Sequence, residues 1–231
     1  MPRLTGIKAI SFDADGTLWD FQKVMRHSLG KVMEELERLD PKSATELDIE
    51  KMIAIRNRVA EELKGKTTNL EEVRFQAFKR DLEEIGRPND DLARHLNTVY
   101  LQHRFEDIEP YEDALPTLHT LRERYALGLL SNGNSYPERC GFEGLFQSVV
   151  FSQYHNVEKP DPEIFRITLR ELGCSEAELL HVGDSLENDV EGAHNAGIRC
   201  VWLNRDNIEN KTDITPDYEI HSMTELVDIL L

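Results

Sequence analysis

The feature that most constrains this chain is a break in its hydrophobic rhythm. A short apolar run, Ala9-Ile10-Ser11-Phe12, ends on Asp13 and reads as a buried strand meeting a loop at Gly16. From Phe21 to about Phe105 the apolar residues recur only at helical spacing. Val24, Leu29, Val32 and Leu36 mark one helix, and Ile49, Ile53, Val59 and Leu63 a second. Leu70, Val73, Phe78 and Leu82 mark a third, and Leu92, Leu96 and Val99 a fourth, with breaks near Pro41, Gly65 and Gly86-Arg87-Pro88. Past Glu109-Pro110 the pattern alternates. Strands are expected at 127–130, 148–151, 179–182, 200–203 and 218–220, with helices at 114–124, 162–172, 186–196 and 223–230. Strands separated by helices build a parallel sheet covered on both faces. The expected fold is therefore α/β, with the helical block inserted after the first strand.

Hydrophobic residues make up 39% of the chain and charged residues 31%, a composition that folds and stays in solution. The net charge of −17 repels nucleic-acid backbones and anionic membranes, so neither is expected as a partner. No stretch approaches the roughly 20 apolar residues of a membrane span, and Met1–Lys8 holds no long apolar run. A cytoplasmic location is the default expectation. Cys140, Cys174 and Cys200 form no C-x-x-C pair, which argues against a disulfide framework or a structural zinc site.

Ligands of open α/β sheets bind at the carboxyl ends of the strands. Four strand ends carry polar residues suited to one chemistry. Asp13 and Asp15 flank a turn and can point into one pocket; the pattern lacks the further oxygen ligands of a calcium loop. Ser131-Asn132-Gly133 offers a hydroxyl and backbone amides to a phosphate oxygen. Lys159 sits in a proline-flanked loop ahead of a helix and can neutralise a phosphate and a carboxylate together. Asp184 ends a strand and opens a helix, where with Asp13 it makes a hard oxygen site for Mg²⁺. Each segment alone is ordinary turn, cap or surface chemistry. Four in order at successive strand ends are not.

These four segments resemble, in order, the four motifs of the haloacid dehalogenase (HAD) superfamily, and the likeness covers nearly the whole chain. The resemblance implies a Rossmann-like three-layer core with a parallel sheet, formed by residues 1–18 and 108–231. Residues 19–107 would be an inserted four-helix cap, hinged near Leu18–Phe21 and Ile108–Tyr111, which closes over a small substrate. It further implies that Asp13 is the nucleophile, forming an aspartyl-phosphate. Asp15 would be the acid that protonates the leaving alcohol and then the base that activates water. Ser131, Asn132 and a backbone amide would hold the phosphate, and Lys159 would orient it and the nucleophile. Mg²⁺ would be bound by Asp13, Asp184 and the main-chain carbonyl of Asp15, with Asp189 supporting the metal indirectly.

The second acid separates the classes within that superfamily. A halide leaving group needs no proton, so Asp15 favours a phosphatase over a 2-haloacid dehalogenase. A sugar phosphomutase keeps both acids and stays open, as does a catalytically quiet binding module, although the motif set is intact. The expected substrate is a small phosphorylated metabolite of the sugar, triose or nucleotide class, and monomer and homodimer are both compatible with the sequence. Mg²⁺ and Lys159 would supply the positive charge that an acidic molecule otherwise lacks at an anionic substrate. Within the inserted block, Arg56, Arg58, Lys64 and Arg74 are candidates for a second anionic group. His27 and His103 read as solvated helix-face residues, and Trp19 as either a pocket wall or packing.

Overall fold

The computed structural model describes residues 4–231, so the first three residues of the segment assigned to the core lie outside it. In chain order, β1 (Ala9–Phe12) precedes α1 (Phe21–Leu39), α2 (Pro41–Ala44), α3 (Ile49–Leu63), α4 (Leu70–Glu84) and α5 (Asp90–Glu106). Then come α6 (Ala114–Leu121), β2 (Ala126–Ser131), β3 (Ser148–Phe151), α7 (Ser152–His155) and α8 (Pro162–Leu172). β4 (Leu179–Gly183), α9 (Gly192–Asn195), β5 (Arg199–Leu203), β6 (Tyr218–Ile220) and α10 (Met223–Leu230) finish the chain. Two compact units result. One runs up to Asp20 and resumes at Glu109; the other is Phe21–Ile108.

The first unit is built on a six-stranded sheet in the order β3-β2-β1-β4-β5-β6, every pairing parallel. β1 lies at the centre, with Ala9 opposite Ala126 of β2 and Leu179 of β4. All four β1 residues are buried, as a strand covered on both faces requires. One face packs Ala9, Leu130, Val150 and Leu179 against Ile164, Phe165 and Leu169 of α8 and Ala193 of α9. Ile10 and Phe12 point the other way and are fully buried too. α6 and α10 pack on each other and bury Leu118, Leu121, Met223 and Leu226. The strand order reverses between β1 and β4, which opens a crevice at their carboxyl ends.

The second unit holds four long helices and the short α2. Their starts are set by capping side chains. Asp48 accepts from the Lys51 amide at 2.8 Å, Asn69 from Glu71 at 3.0 Å and Asn89 from Leu92 at 3.0 Å. Met25, Val32, Leu36, Phe78, Leu82 and Leu96 fill the centre. The short α2, absent from the sequence reading, forms because Pro41 occupies its first position and Asp40 caps Ser43. A second difference lies after β4. The segment expected to be a plain helix opens with a wide turn through Leu186–Glu191, where the Val190 amide reaches back five residues to the Ser185 carbonyl at 3.2 Å. Asp189, in that turn, points its carboxylate inward and accepts from the Ser185 amide at 3.0 Å. Among the described residues no helix is long and apolar enough to cross a membrane.

Candidate active site

Each sequence-predicted strand end meets the same crevice. β1 delivers Asp13, β2 ends on Ser131, the loop after β3 delivers Lys159, and the segment after β4 delivers Asp184 and Asp189. Carboxylate oxygens of Asp13, Asp184 and Asp189 lie within 4.8 Å of one another. Lys159 is buried between two of them, its Nζ donating to Asp13 Oδ1 at 2.6 Å and to Asp189 Oδ1 at 2.5 Å. Glycines make this approach possible. Gly16 adopts a left-handed φ of +92°, and a Cβ there would strike the Asp184 carboxylate. A Cβ on Gly183 would strike that of Asp189, and one on Gly133 would lie 2.7 Å from Asp15 Oδ2.

The charges in this cluster do not balance. Burial raises the carboxyl of Asp13 well above its ordinary range despite the adjacent lysine, and Asp189 and Asp184 add to the rise. Burial, and then Asp189, push Asp184 up to about 6. For Asp189 burial acts in the same direction, but the Lys159 charge and the hydrogen bond from His181 outweigh it and hold the group ionised. Burial alone would lower Lys159, yet its two carboxylate partners raise it, so it stays charged. Three carboxylates thus share one ammonium. The donor set is all oxygen and surplus in negative charge, which fits a small hard dication such as Mg²⁺.

Asp189 has little left for a ligand. Its Oδ1 accepts from Lys159 and lies 3.1 Å from His181 Nε2, and its Oδ2 accepts from the Ser185 amide. Asp13 Oδ1 accepts from Lys159, and Asp184, the carboxylate of the three most open to solvent, accepts from Thr17 Oγ1 at 3.3 Å. Asp15 turns elsewhere: its Oδ1 accepts from the Trp19 indole N–H at 2.6 Å. Trp19 itself is 1% exposed and packs on Phe142 with ring centroids 5.6 Å apart. It is both a packed aromatic and a hydrogen-bond donor to the second acid.

Ser131 is buried, and its Oγ accepts from the Gly133 amide at 2.9 Å, leaving the hydroxyl proton to donate. Asn132, expected to help hold the phosphate, braces the Lys159 loop with its side chain. Nδ2 donates to the Lys159 carbonyl at 2.9 Å, while Oδ1 accepts from the Lys159 amide at 2.8 Å and from Ser152 at 2.6 Å.

Several supporting residues escaped the sequence reading. His181 is fully buried in β4, between Ser11 Oγ at 2.8 Å and Asp189; burial lowers it, so it is neutral. The signal was present as a histidine and a serine within apolar strands, where buried polar groups need partners. The Trp202 indole donates to the Asp184 carbonyl at 2.8 Å. Arg205 clasps Asp113 at 2.9 and 3.0 Å and donates to the Thr17 carbonyl at 3.0 Å, which ties the otherwise polar loop after β5 to the Asp13–Asp15 turn.

In the helical unit the four candidate cations separate. Arg58 pairs with Glu84 at 2.5 Å and Lys64 is exposed. Arg56 and Arg74 line a cavity of about 20 Å³ with Asp81, Tyr100, Met25 and Phe78.

A family model for haloacid dehalogenase-like hydrolases matches residues 7–197. A glyceraldehyde 3-phosphate phosphatase of Methanopyrus kandleri is 30% identical over 235 residues, 97% of each chain. Among solved structures, a 2-haloacid dehalogenase from Pseudomonas syringae aligns with a TM-score of 0.82 at 29% identity, covering 96% of this chain and 97% of its own. The HAD-hydrolase YfnB from Bacillus subtilis, solved with bound magnesium, aligns with a TM-score of 0.78 at 26% identity over 97% and 98%.

Proposed function

Because this chain belongs to the haloacid dehalogenase-like hydrolase family and is a phosphoric monoester hydrolase within it, we propose that it is a Mg²⁺-dependent phosphatase of a small phosphorylated metabolite, acting through Asp13. The observation that carries this reading is the buried Asp13–Lys159–Asp189 chain beside a second acid, Asp15, held by Trp19. Lys159 fixes Asp13 through Oδ1, which leaves Oδ2 to attack phosphorus. The new Oδ2–P bond forms as the ester P–O bond breaks, and the leaving oxygen takes its proton from Asp15. An indole N–H can only donate, so Asp15 Oδ1 is an acceptor and the proton travels on Oδ2. Asp15 then takes a proton from water as that water attacks the aspartyl-phosphate, releasing phosphate and restoring Asp13. The Ser131 hydroxyl donates to a phosphoryl oxygen throughout.

Asp13, Asp184 and the main-chain carbonyl of Asp15 would hold the Mg²⁺, with Asp189 supporting it through Lys159. Bound there, the ion would supply positive charge against the charge that builds on the transferring phosphoryl group. The likeness to a glyceraldehyde 3-phosphate phosphatase supports a triose phosphate as one candidate substrate. The dehalogenase likeness motivates a second reading, which Asp15 disfavours because a halide departs without a proton.

One assay separates the readings. The protein is offered an aryl phosphate, a panel of metabolite phosphates and a 2-haloacid, with Mg²⁺ or EDTA. Phosphate release that EDTA and Asp13→Asn each abolish is expected. Metal-independent halide release would replace the phosphatase reading with the dehalogenase one.

A further inference from the structure

Two histidines that looked like isolated surface residues meet in the helical unit. His27 lies on α1 and His103 in the last turn of α5, 76 positions apart in sequence, and both ring nitrogens converge on one oxygen. His27 Nε2 is 2.9 Å from Asp107 Oδ2, and His103 Nδ1 is 2.8 Å from the same atom. The two rings stand edge to face with centroids 6.1 Å apart. Ligand-capable atoms of all three side chains lie within 4.8 Å of one another. His103 and Asp107 are spaced i, i+4, so they share one helix face, and His27 closes the set from a neighbouring helix.

We propose that His27, His103 and Asp107 form a second divalent-metal site, separate from the carboxylate cluster and selective for a borderline transition ion such as Zn²⁺. Two imidazole nitrogens and one carboxylate oxygen suit Zn²⁺, whereas Mg²⁺ prefers an all-oxygen set. The position favours a cation. Asp107 follows the last turn of α5, where its own amide bonds to the His103 carbonyl and unpaired carbonyls carry partial negative charge. The three side chains are 27% to 47% exposed, so an ion can enter and a coordination position stays open to water. The nitrogen–oxygen separations are now hydrogen-bond lengths. Tetrahedral ligation needs edges of about 3.3 Å, an opening of about half an ångström that exposed helix-surface side chains allow. An ion there would link α1 to the end of α5, two residues before the chain leaves the unit.

The inference does not depend on the phosphatase reading. Full-length protein would be titrated with Co²⁺, followed by its visible ligand-field bands, and then with Zn²⁺ to displace it. The same titration would be run on Asp107→Asn, on His27→Gln/His103→Gln and on Asp184→Asn, each checked by far-UV circular dichroism. The site predicts one tight ion that excess Mg²⁺ does not displace. Its affinity should fall at least tenfold in Asp107→Asn and in the double histidine variant, and remain within twofold in Asp184→Asn. No binding, binding insensitive to the His27, His103 and Asp107 changes, or binding lost in Asp184→Asn would each overturn it. Should the double variant not fold, Asp107→Asn and Asp184→Asn decide the matter alone.

Discussion

Asp13 and Asp15 lie two positions apart, yet their surroundings differ. Asp13 faces a buried ammonium, and Asp15 faces a neutral indole N–H. Sequence distinguishes neither partner, because Lys159 is 146 residues away and Trp19 reads equally as packing. In the proposed mechanism Trp19 is a positioning residue: it holds one oxygen of Asp15 so that the other carries the proton. Trp19→Phe keeps the ring against Phe142 and removes only the donor. A hydrogen bond to a charged partner is worth about 1.5–3 kcal/mol, so kcat should fall about ten- to a hundredfold with KM nearly unchanged. Steady-state kinetics with an aryl phosphate measures this, and an unaltered kcat would remove Trp19 from the mechanism.

At the scale of the element, α4 carries an anomaly of its own. Asp81 is 2% exposed in the helical unit, and its Oδ1 has no hydrogen-bond partner among the described residues. Burial, and then the neighbouring Glu84, raise its carboxyl to about 8. Folding therefore favours the protonated form. Between about pH 4 and pH 8 the native state keeps a proton that the unfolded chain has lost, so stability falls as pH rises through that window and levels off beyond it. Asp81→Asn mimics the neutral form. The variant should match the wild type near pH 4 and be more stable by a few kcal/mol at pH 9, as each pH unit in the window contributes about 1.4 kcal/mol. Urea melts at the two pH values test this; parallel pH dependence in both proteins would show that Asp81 is ionised in the fold. The helices themselves were legible because their apolar stripes and caps are local. The wide turn after β4 was not: it carries Asp189, whose partner Lys159 lies 30 residues away, a contact no local pattern records.

For the molecule as a whole, the net charge of −17 is not relieved at the sheet's carboxyl edge, where three carboxylates surround one lysine. A dication bound there stabilises the native state by mass action. At about a hundred times its Kd, Mg²⁺ should add about 2.7 kcal/mol, read as a rise in melting temperature. The rise should be reversed by EDTA and largely lost in Asp184→Asn, while added KCl at equal ionic strength should not reproduce it. A rise of the same size with KCl would attribute the effect to screening of the acidic surface.

The sequence by itself determined the α/β class, the strand positions and the place of the helical insertion, because hydrophobic period and capping are read within a few neighbouring residues. It also placed Asp13, Ser131 and Asp184 at strand ends and Lys159 in the loop ahead of α8, since a parallel sheet aligns those ends on one edge. Partnership was decided only by the tertiary structure. That Lys159 bridges Asp13 and Asp189, that Asn132 serves the Lys159 loop, that Arg205 anchors the Thr17 turn, and that His27 meets His103 all depend on contacts between residues far apart in sequence. Electrostatics and hydrogen bonding act over a few ångströms of space, and periodicity along a chain carries no record of which distant residues will share them.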